Sequence, residues 1–194
     1  QGEELGMTNV QFDSIDDYRD IETLNMYKEK IEAGVAPGQI MKSIYAKGRD
    51  NARTPMQWDE SESGGFTTGT PWISVNPNYR EINTAKQVND PHSVFHYYKK
   101  LIELRKQHEI IVYGAYDLLL PEHPTIYAYT RILANEKLLV VLNFSRENSM
   151  FELPQECSYN TKELLISNYD VDQNESIEKI DLKPYEARVY RLTI

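Results

Sequence analysis

The chain has 194 residues, 40% hydrophobic and 26% charged, enough for one good core or two small ones and too polar for a membrane-embedded protein. A formal net charge of -9 and a pI near 5.0 exclude a nucleic-acid surface, which needs a concentrated basic stripe. Cys157 is the only cysteine, so an intramolecular disulfide and a four-cysteine metal site are both unavailable, as suits a reducing cytosol.

The chain opens on QGEELGM, which reads as the end of a strand entering a glycine-containing turn. A chain that begins in mid-element without Met is expected to be part of something longer. Thr8 to Tyr18 reads as a polar lead-in. A helix is then predicted from about Asp20, its N-cap, to Ile31, with Leu24, Tyr27 and Ile31 on one face. Glu22 and Asn25 lie three apart near its positive end, where a carboxylate is favoured and can also reach a polar ligand; a solvated helix start is the other reading. After Gly34, a second helix starts with Pro37 in its first turn and carries Ile40, Met41, Ile44 and Tyr45 on one side until Lys47 and Gly48 close it.

Next comes KGRDNARTPMQW, residues 47–58. Arg49 and Arg53 bracket Asp50 and Asn51, and a guanidinium paired with a carboxylate keeps further N–H donors for sugar hydroxyls. Pro55 stiffens the exit, and Met56 and Trp58 supply apolar bulk to pin the loop. The cluster reads either as a loop knotted by its own ion pairs or as a recognition loop. From Asp59 to Asp90 the sequence is irregular and long for a loop, and Phe66, Trp72 and Tyr79 could pin it or stack on sugar faces. A third helix is predicted with Asp90 as cap and Pro91 in its first position, burying Val94, Phe95, Tyr98, Leu101 and Ile102. The pair His92 and His96 is expected on that helix surface rather than on a metal.

Beyond the third helix the period shifts from 3.6 to 2. AYDLLL, TIYAYTRI, KLLVVLNF, SMFELP, SIEKIDL and EARVYRLTI, separated by turn residues, predict an antiparallel sandwich of six strands. Leu138 to Leu142 is apolar on both faces and is expected at the centre, whereas Tyr190, Leu192 and Ile194 alternate as in a half-buried strand. Asp170, Asp172 and Asn174 mimic the start of a calcium loop, but Glu175 stands where Gly is required, so a plain acidic hairpin is expected and no metal. No phosphate-cradling glycine loop, dinucleotide fingerprint or Ser, His and Asp arrangement occurs, and no cofactor is expected.

QGEELGMTN, YRDIETLNMY, GRDNARTPMQW, GFTTGTPWISVNPNY, FHYYKKLIELRK and PYEARVYRL together resemble the C-terminal third of bacterial oligo-1,6-glucosidases, members of the α-amylase-type glycoside hydrolases. The resemblance runs over essentially the whole chain. It implies an α+β piece: the last strand end (Gln1 to Glu4), the large loop and the eighth helix (Pro91 to His108) of a (β/α)8 barrel, then an antiparallel β-sandwich. Residues 1–108 would belong to the barrel and residues 109–194 to the sandwich, with the rest of the barrel packing on residues 1–108. A whole barrel needs about 250 residues and cannot be contained here.

The resemblance further implies a cytoplasmic, retaining α-glucosidase whose catalytic carboxylates come from earlier barrel strands, so that no catalytic residue is expected in this chain and the chain alone should be inactive. Arg49 resembles the arginine that floors the pocket for the non-reducing glucose and pairs with an acid from an early barrel loop, outside this chain. Glu22 resembles an acid near the next glucose, with Asn25 beside it. Asp50, Arg53 and Trp58 are expected to brace the loop. The partner is then an oligosaccharide, with neither nucleic acid nor membrane involved. The alternative is a non-catalytic carbohydrate-binding or stabilising sandwich module.

Overall fold

The computed structural model describes residues 1–193 and divides into two compact units, Gln1–Lys99 and Lys100–Ile194. In the first unit, α1 (Ile21–Glu32) starts because the Asp20 carboxylate accepts from Thr23 N and Thr23 Oγ1, both at 3.0 Å. Helix α2 (Pro37–Lys47) starts at Pro37, whose fixed φ suits a first helical position. Ile40, Met41 and Ile44 of α2 are buried with Val10, Phe12, Tyr18 and Ile73, while Leu24 and Tyr27 of α1 pack against this core from partly buried positions. Ile31 is exposed. The supposedly polar lead-in therefore supplies three residues of the core, Val10, Phe12 and Tyr18: Phe12 meets Tyr18 edge-on at 5.2 Å, and Phe12 N donates to the Tyr18 hydroxyl.

Gln1 to Glu4 do not form the expected strand end. Glu3–Leu5 is a 3-10 turn between left-handed Gly2 and Gly6. A strand needs a neighbour to share its hydrogen bonds, and the described residues of this unit contain none. The long loop carries more order than its composition suggests, with 3-10 turns at Glu62–Gly65 and Pro77–Arg80 and a six-residue helix, α3 (Thr84–Asn89). Asn83 caps α3 by accepting from Lys86 N at 2.9 Å.

Helix α4 (Val94–Gln107) begins later than predicted. Asp90 instead closes a turn, its side chain accepting from His92 N and its carbonyl from Ser93 N, and Ser93 Oγ accepts from His96 N as the actual cap. His92 consequently lies outside the helix. The expected buried stripe is also corrected: Val94, Tyr98, Leu101 and Ile102 are exposed, and among the described residues of α4 only Leu104 is buried. Among the described residues no helix is long and apolar enough to cross a membrane.

The second unit adds a short helix, α5 (Ile110–Tyr113), and seven antiparallel strands: β1 (Ala115–Leu119), β2 (Ile126–Leu133), β3 (Glu136–Asn143), β4 (Ser149–Glu152), β5 (Thr161–Ser167), β6 (Lys179–Leu182) and β7 (Ala187–Thr193). One sheet has the order β1-β2-β3-β7-β5 and the other pairs β4 with β6. The apolar run of β3 takes the central place, with Leu138 to Val141 all buried. Ile126, Ala128, Leu139, Val141, Tyr190 and Leu192 of the larger sheet share one core with Phe151, Ile180 and Leu182 of the smaller. Ile194, expected to continue the alternation of Tyr190 and Leu192, lies outside the described residues. Strand β5 was not anticipated, because an edge strand bearing Lys162 and Glu163 carries a weak apolar signal.

Two buried polar knots hold this unit. Asn143 donates to the carbonyls of Glu147, Leu182 and Lys183 and accepts from Ser145, tying the end of β3 to the turn before β7. Arg188 on β7 donates to Glu186 Oε1 and Glu175 Oε2, each at 2.7 Å, and to the Tyr190 hydroxyl at 3.2 Å. Glu186 is itself buried and accepts from Lys183 N at 2.8 Å. The Asp170 to Asn174 segment forms a turn in which Asp172 accepts from Asn174 N.

Candidate functional site

Helix α2 ends where Gly48 N donates to Ile44 O at 2.7 Å. A Cβ at Gly48 would stand 2.7 Å from that same carbonyl oxygen, so this exit requires glycine. The backbone passes directly into the 3-10 turn Arg49–Ala52, which disposes its first three side chains in three directions. Asn51 reaches back, accepting from Val10 N and donating to Tyr45 O, both at 3.1 Å. Asp50 points inward and is fully buried, its Oδ2 accepting from Arg19 N at 2.7 Å and Asp20 N at 2.9 Å. Arg49 points outward, its Nη1 donating to Glu22 Oε2 at 3.1 Å.

Arg49 and Glu22 are thus brought together, from a turn and a helix 27 residues apart in sequence. Both side chains are largely exposed, 62% and 74%, and such pairs contribute only about 0–1 kcal/mol to folding. Their cost of separation is small. The two residues line a shallow cleft with Asp20, Thr23 and Lys47, of volume ≈ 130 Å³. Pockets that enclose a ligand run to about 300–1,000 Å³, so this cleft is too small to enclose one by itself. Asn25 is exposed on α1 and does not line the cleft.

Behind the pair, Arg53 Nη1 donates to Asp20 Oδ1 at 3.0 Å and stands 3.5 Å from Asp50 Oδ1. Sequence reasoning gave Asp20 only a capping role, since nothing local signals that its second oxygen serves the turn beyond α2. Trp58 braces the loop differently from expectation. The residue is 49% exposed, and its backbone makes the ties, N donating to Gly64 O and O accepting from Ala85 N. The side chain that pins this stretch is Gln57, fully buried, donating through Nε2 to Asn78 Oδ1 and Ile82 O. Thr54 and Pro55 are buried beside it. Asp50 Oδ1, Thr54 Oγ1 and Gln57 Oε1 are buried without a hydrogen-bond partner, so among the described residues the unsatisfied buried side-chain oxygens are concentrated in this stretch.

Burial pushes the Asp20 carboxyl up, but hydrogen bonds from Thr23 and Arg53 outweigh it and hold its pKa below the ordinary value. Because the folded-state pKa is the lower one, the unfolded chain binds the proton more tightly. The resulting stability is fully present above the ordinary Asp value of about 3.9 and is lost as pH falls through the folded pKa. Asp20→Asn keeps a helix cap but loses the charged bond to Arg53. Urea unfolding from pH 7 to pH 3 is expected to show a cost of about 1 kcal/mol at pH 7 that shrinks toward acid. An unchanged acid limb would show that Asp20 does not report on this contact.

The family profile described as alpha amylase, catalytic domain, matches residues 1–114, and the alpha-amylase SusG C-terminal domain matches residues 126–189. The oligo-1,6-glucosidase of Parageobacillus thermoglucosidasius is 65% identical over 100% of this chain and 35% of its own length, and that of Bacillus cereus is 62% identical over 99% and 34%. The crystal structure of Bacillus licheniformis trehalose-6-phosphate hydrolase superimposes with a TM-score of 0.94 at 49% identity, over 100% of this chain and 35% of that one. The chain spans about a third of the length of these relatives. With the catalytic-domain profile matching more than half of its residues and the C-terminal domain following, the chain belongs to the alpha-amylase family.

Proposed function

We propose that this chain is the C-terminal portion of a retaining α-glucosidase acting on α-1,6-linked or related gluco-oligosaccharides, and that it supplies one wall of the substrate site. The observation that carries the proposal is the convergence of Glu22 and Arg49 on a cleft too small to enclose a sugar. The identity to oligo-1,6-glucosidases supports the substrate class. Arg49 would meet the non-reducing glucose through guanidinium donors that its exposed bond to Glu22 leaves open, and its acid partner in the intact site would come from residues outside this chain. Glu22 would face the next glucose, whereas Asn25, one turn along α1, lies outside the cleft and would reach a sugar only beyond it.

The same geometry argues against catalytic carboxylates here. Asp50 and Asp20 are buried and committed to backbone N–H groups and Arg53, and Glu22 is paired with Arg49. A retaining hydrolase needs a nucleophile and an acid about 5–5.5 Å apart, both facing the glycosidic oxygen; with Asp20 committed, this cleft offers one exposed carboxylate, Glu22, where two are needed. Residues 1–108 would then belong with a barrel whose remaining part covers the exposed stripe of Val94, Tyr98, Leu101 and Ile102, while residues 109–194 form the sandwich. A single buried thiol, Cys157, suits a cytosolic setting.

The purified chain is expected to show no turnover of a nitrophenyl α-glucoside; measurable hydrolysis would contradict the absence of catalytic groups. A second reading, a sugar-binding sandwich, draws on the exposed rings of Tyr116, Tyr127 and Phe144, with Tyr127 and Phe144 6.3 Å apart. Affinity electrophoresis separates the two readings. Retardation of the chain by dextran or starch would favour the second, and unretarded migration is the result expected here.

A further inference from the structure

The exposed Glu22–Arg49 pair is hung on a buried knot. Asp50, the neighbour of Arg49, takes the amide hydrogens of Arg19 and Asp20 on one carboxylate oxygen. Asp20, two residues before Glu22, caps α1 with one oxygen and receives Arg53 on the other. Arg53 closes the circuit by standing between Asp20 and Asp50, at 3.0 and 3.5 Å. Both carboxylates are buried, so removal of their shared cation would leave two like charges enclosed together. The outer pair is weak and exchangeable, while the two inner carboxylates are shut off from water.

We propose that Asp20, Asp50 and Arg53 are positioning residues that hold Glu22 and Arg49 at a set separation across the cleft. The outer pair can then exchange its mutual bond for sugar hydroxyls without the two side chains drifting apart. The inference rests on the reading of Arg49 and Glu22 as substrate contacts. It adds residues that touch no substrate, yet fix those that do.

The test uses the Parageobacillus thermoglucosidasius oligo-1,6-glucosidase rebuilt with this chain in place of its matching residues. There, Arg53→Met is expected to lower kcat/KM at least tenfold, since a misplacement of about 1 Å can cost up to about 100-fold. Arg53→Lys, which restores the charge without the fork, should recover part of the loss. In an Arg49→Ala background the effect of Arg53→Met should shrink several-fold, leaving only the part that acts through Glu22. Hydrogen exchange should accelerate at the first-turn amides of α1 and in the 49–52 turn, and elsewhere stay unchanged. An equal Arg53→Met effect in both backgrounds, or unaltered exchange, overturns the proposal. If Arg49→Ala alone is neutral, the substrate reading fails, and exchange alone decides whether the brace exists. Should Arg53→Met not fold, Asp20→Asn is read by the same two measurements.

Discussion

Arg49→Ala in the rebuilt oligo-1,6-glucosidase is expected to lower kcat/KM by about 100-fold while leaving the protein folded. Both halves of this expectation follow from exposure. In this chain the Arg49 guanidinium makes one bond, to an exposed Glu22, which contributes little to folding. Against a bound sugar the same group would lose its water and become a charge-assisted donor in an enclosed site. Truncating such a donor costs about 3 kcal/mol of transition-state stabilisation, and each 1.36 kcal/mol is tenfold in rate. Steady-state kinetics with circular dichroism as the folding control checks it, and a kcat/KM within about tenfold of the parent removes Arg49 from the site.

Arg188→Ala is expected to destabilise the second unit by about 3–5 kcal/mol, the usual cost of stripping the counter-charge from a buried pair. Burial alone would lower the Arg188 pKa, but its bonds to Tyr190, Glu175 and Glu186 reverse the effect and raise it, so the ion is held in its charged form. Removing it leaves Glu186 buried with only Lys183 N for company. Glu175 is the contrasting case: it is more than a third exposed, and Glu175→Gln should cost under about 1 kcal/mol. Urea midpoints at constant slope measure both. Equal costs for the two substitutions would mean that burial does not set the strength of this knot.

The parts of the fold legible in the sequence were those with a local physical signal. Asp20 before α1, Pro37 at the start of α2 and the doubly apolar run of β3 each declare themselves within a few residues. Failures came where the signal is weak or distant. Helix α3 has six residues, too few for a periodic stripe, and β5 is an edge strand that opens on Lys162 and Glu163 and has only Ile166 buried. Ser93 displaced Asp90 as the cap of α4 because Asp90 found a turn of its own to close.

For the site, the crowded RDNAR turn was legible as charged and paired, but its internal division was not. An aspartate between two arginines reads as a surface ion pair, whereas Asp50 is the most buried member of the group and serves two amides of a segment 30 residues earlier. The pairing of Arg49 with Glu22 is likewise a product of α1 lying beside the turn after α2. Gln57 gave no chemical hint of its role, because an amide between Met56 and Trp58 shows nothing of the two loop acceptors it will meet.

Whether this chain forms one wall of a glucosidase site is tested most directly by the rebuilt enzyme. Hydrolysis of an α-1,6-linked glucose disaccharide is measured with this chain in place of the matching third of the Parageobacillus thermoglucosidasius enzyme. A kcat/KM within about tenfold of the unaltered enzyme is expected, since substrate contacts and their bracing would be supplied intact. A folded hybrid that hydrolyses neither this disaccharide nor a nitrophenyl α-glucoside would contradict it.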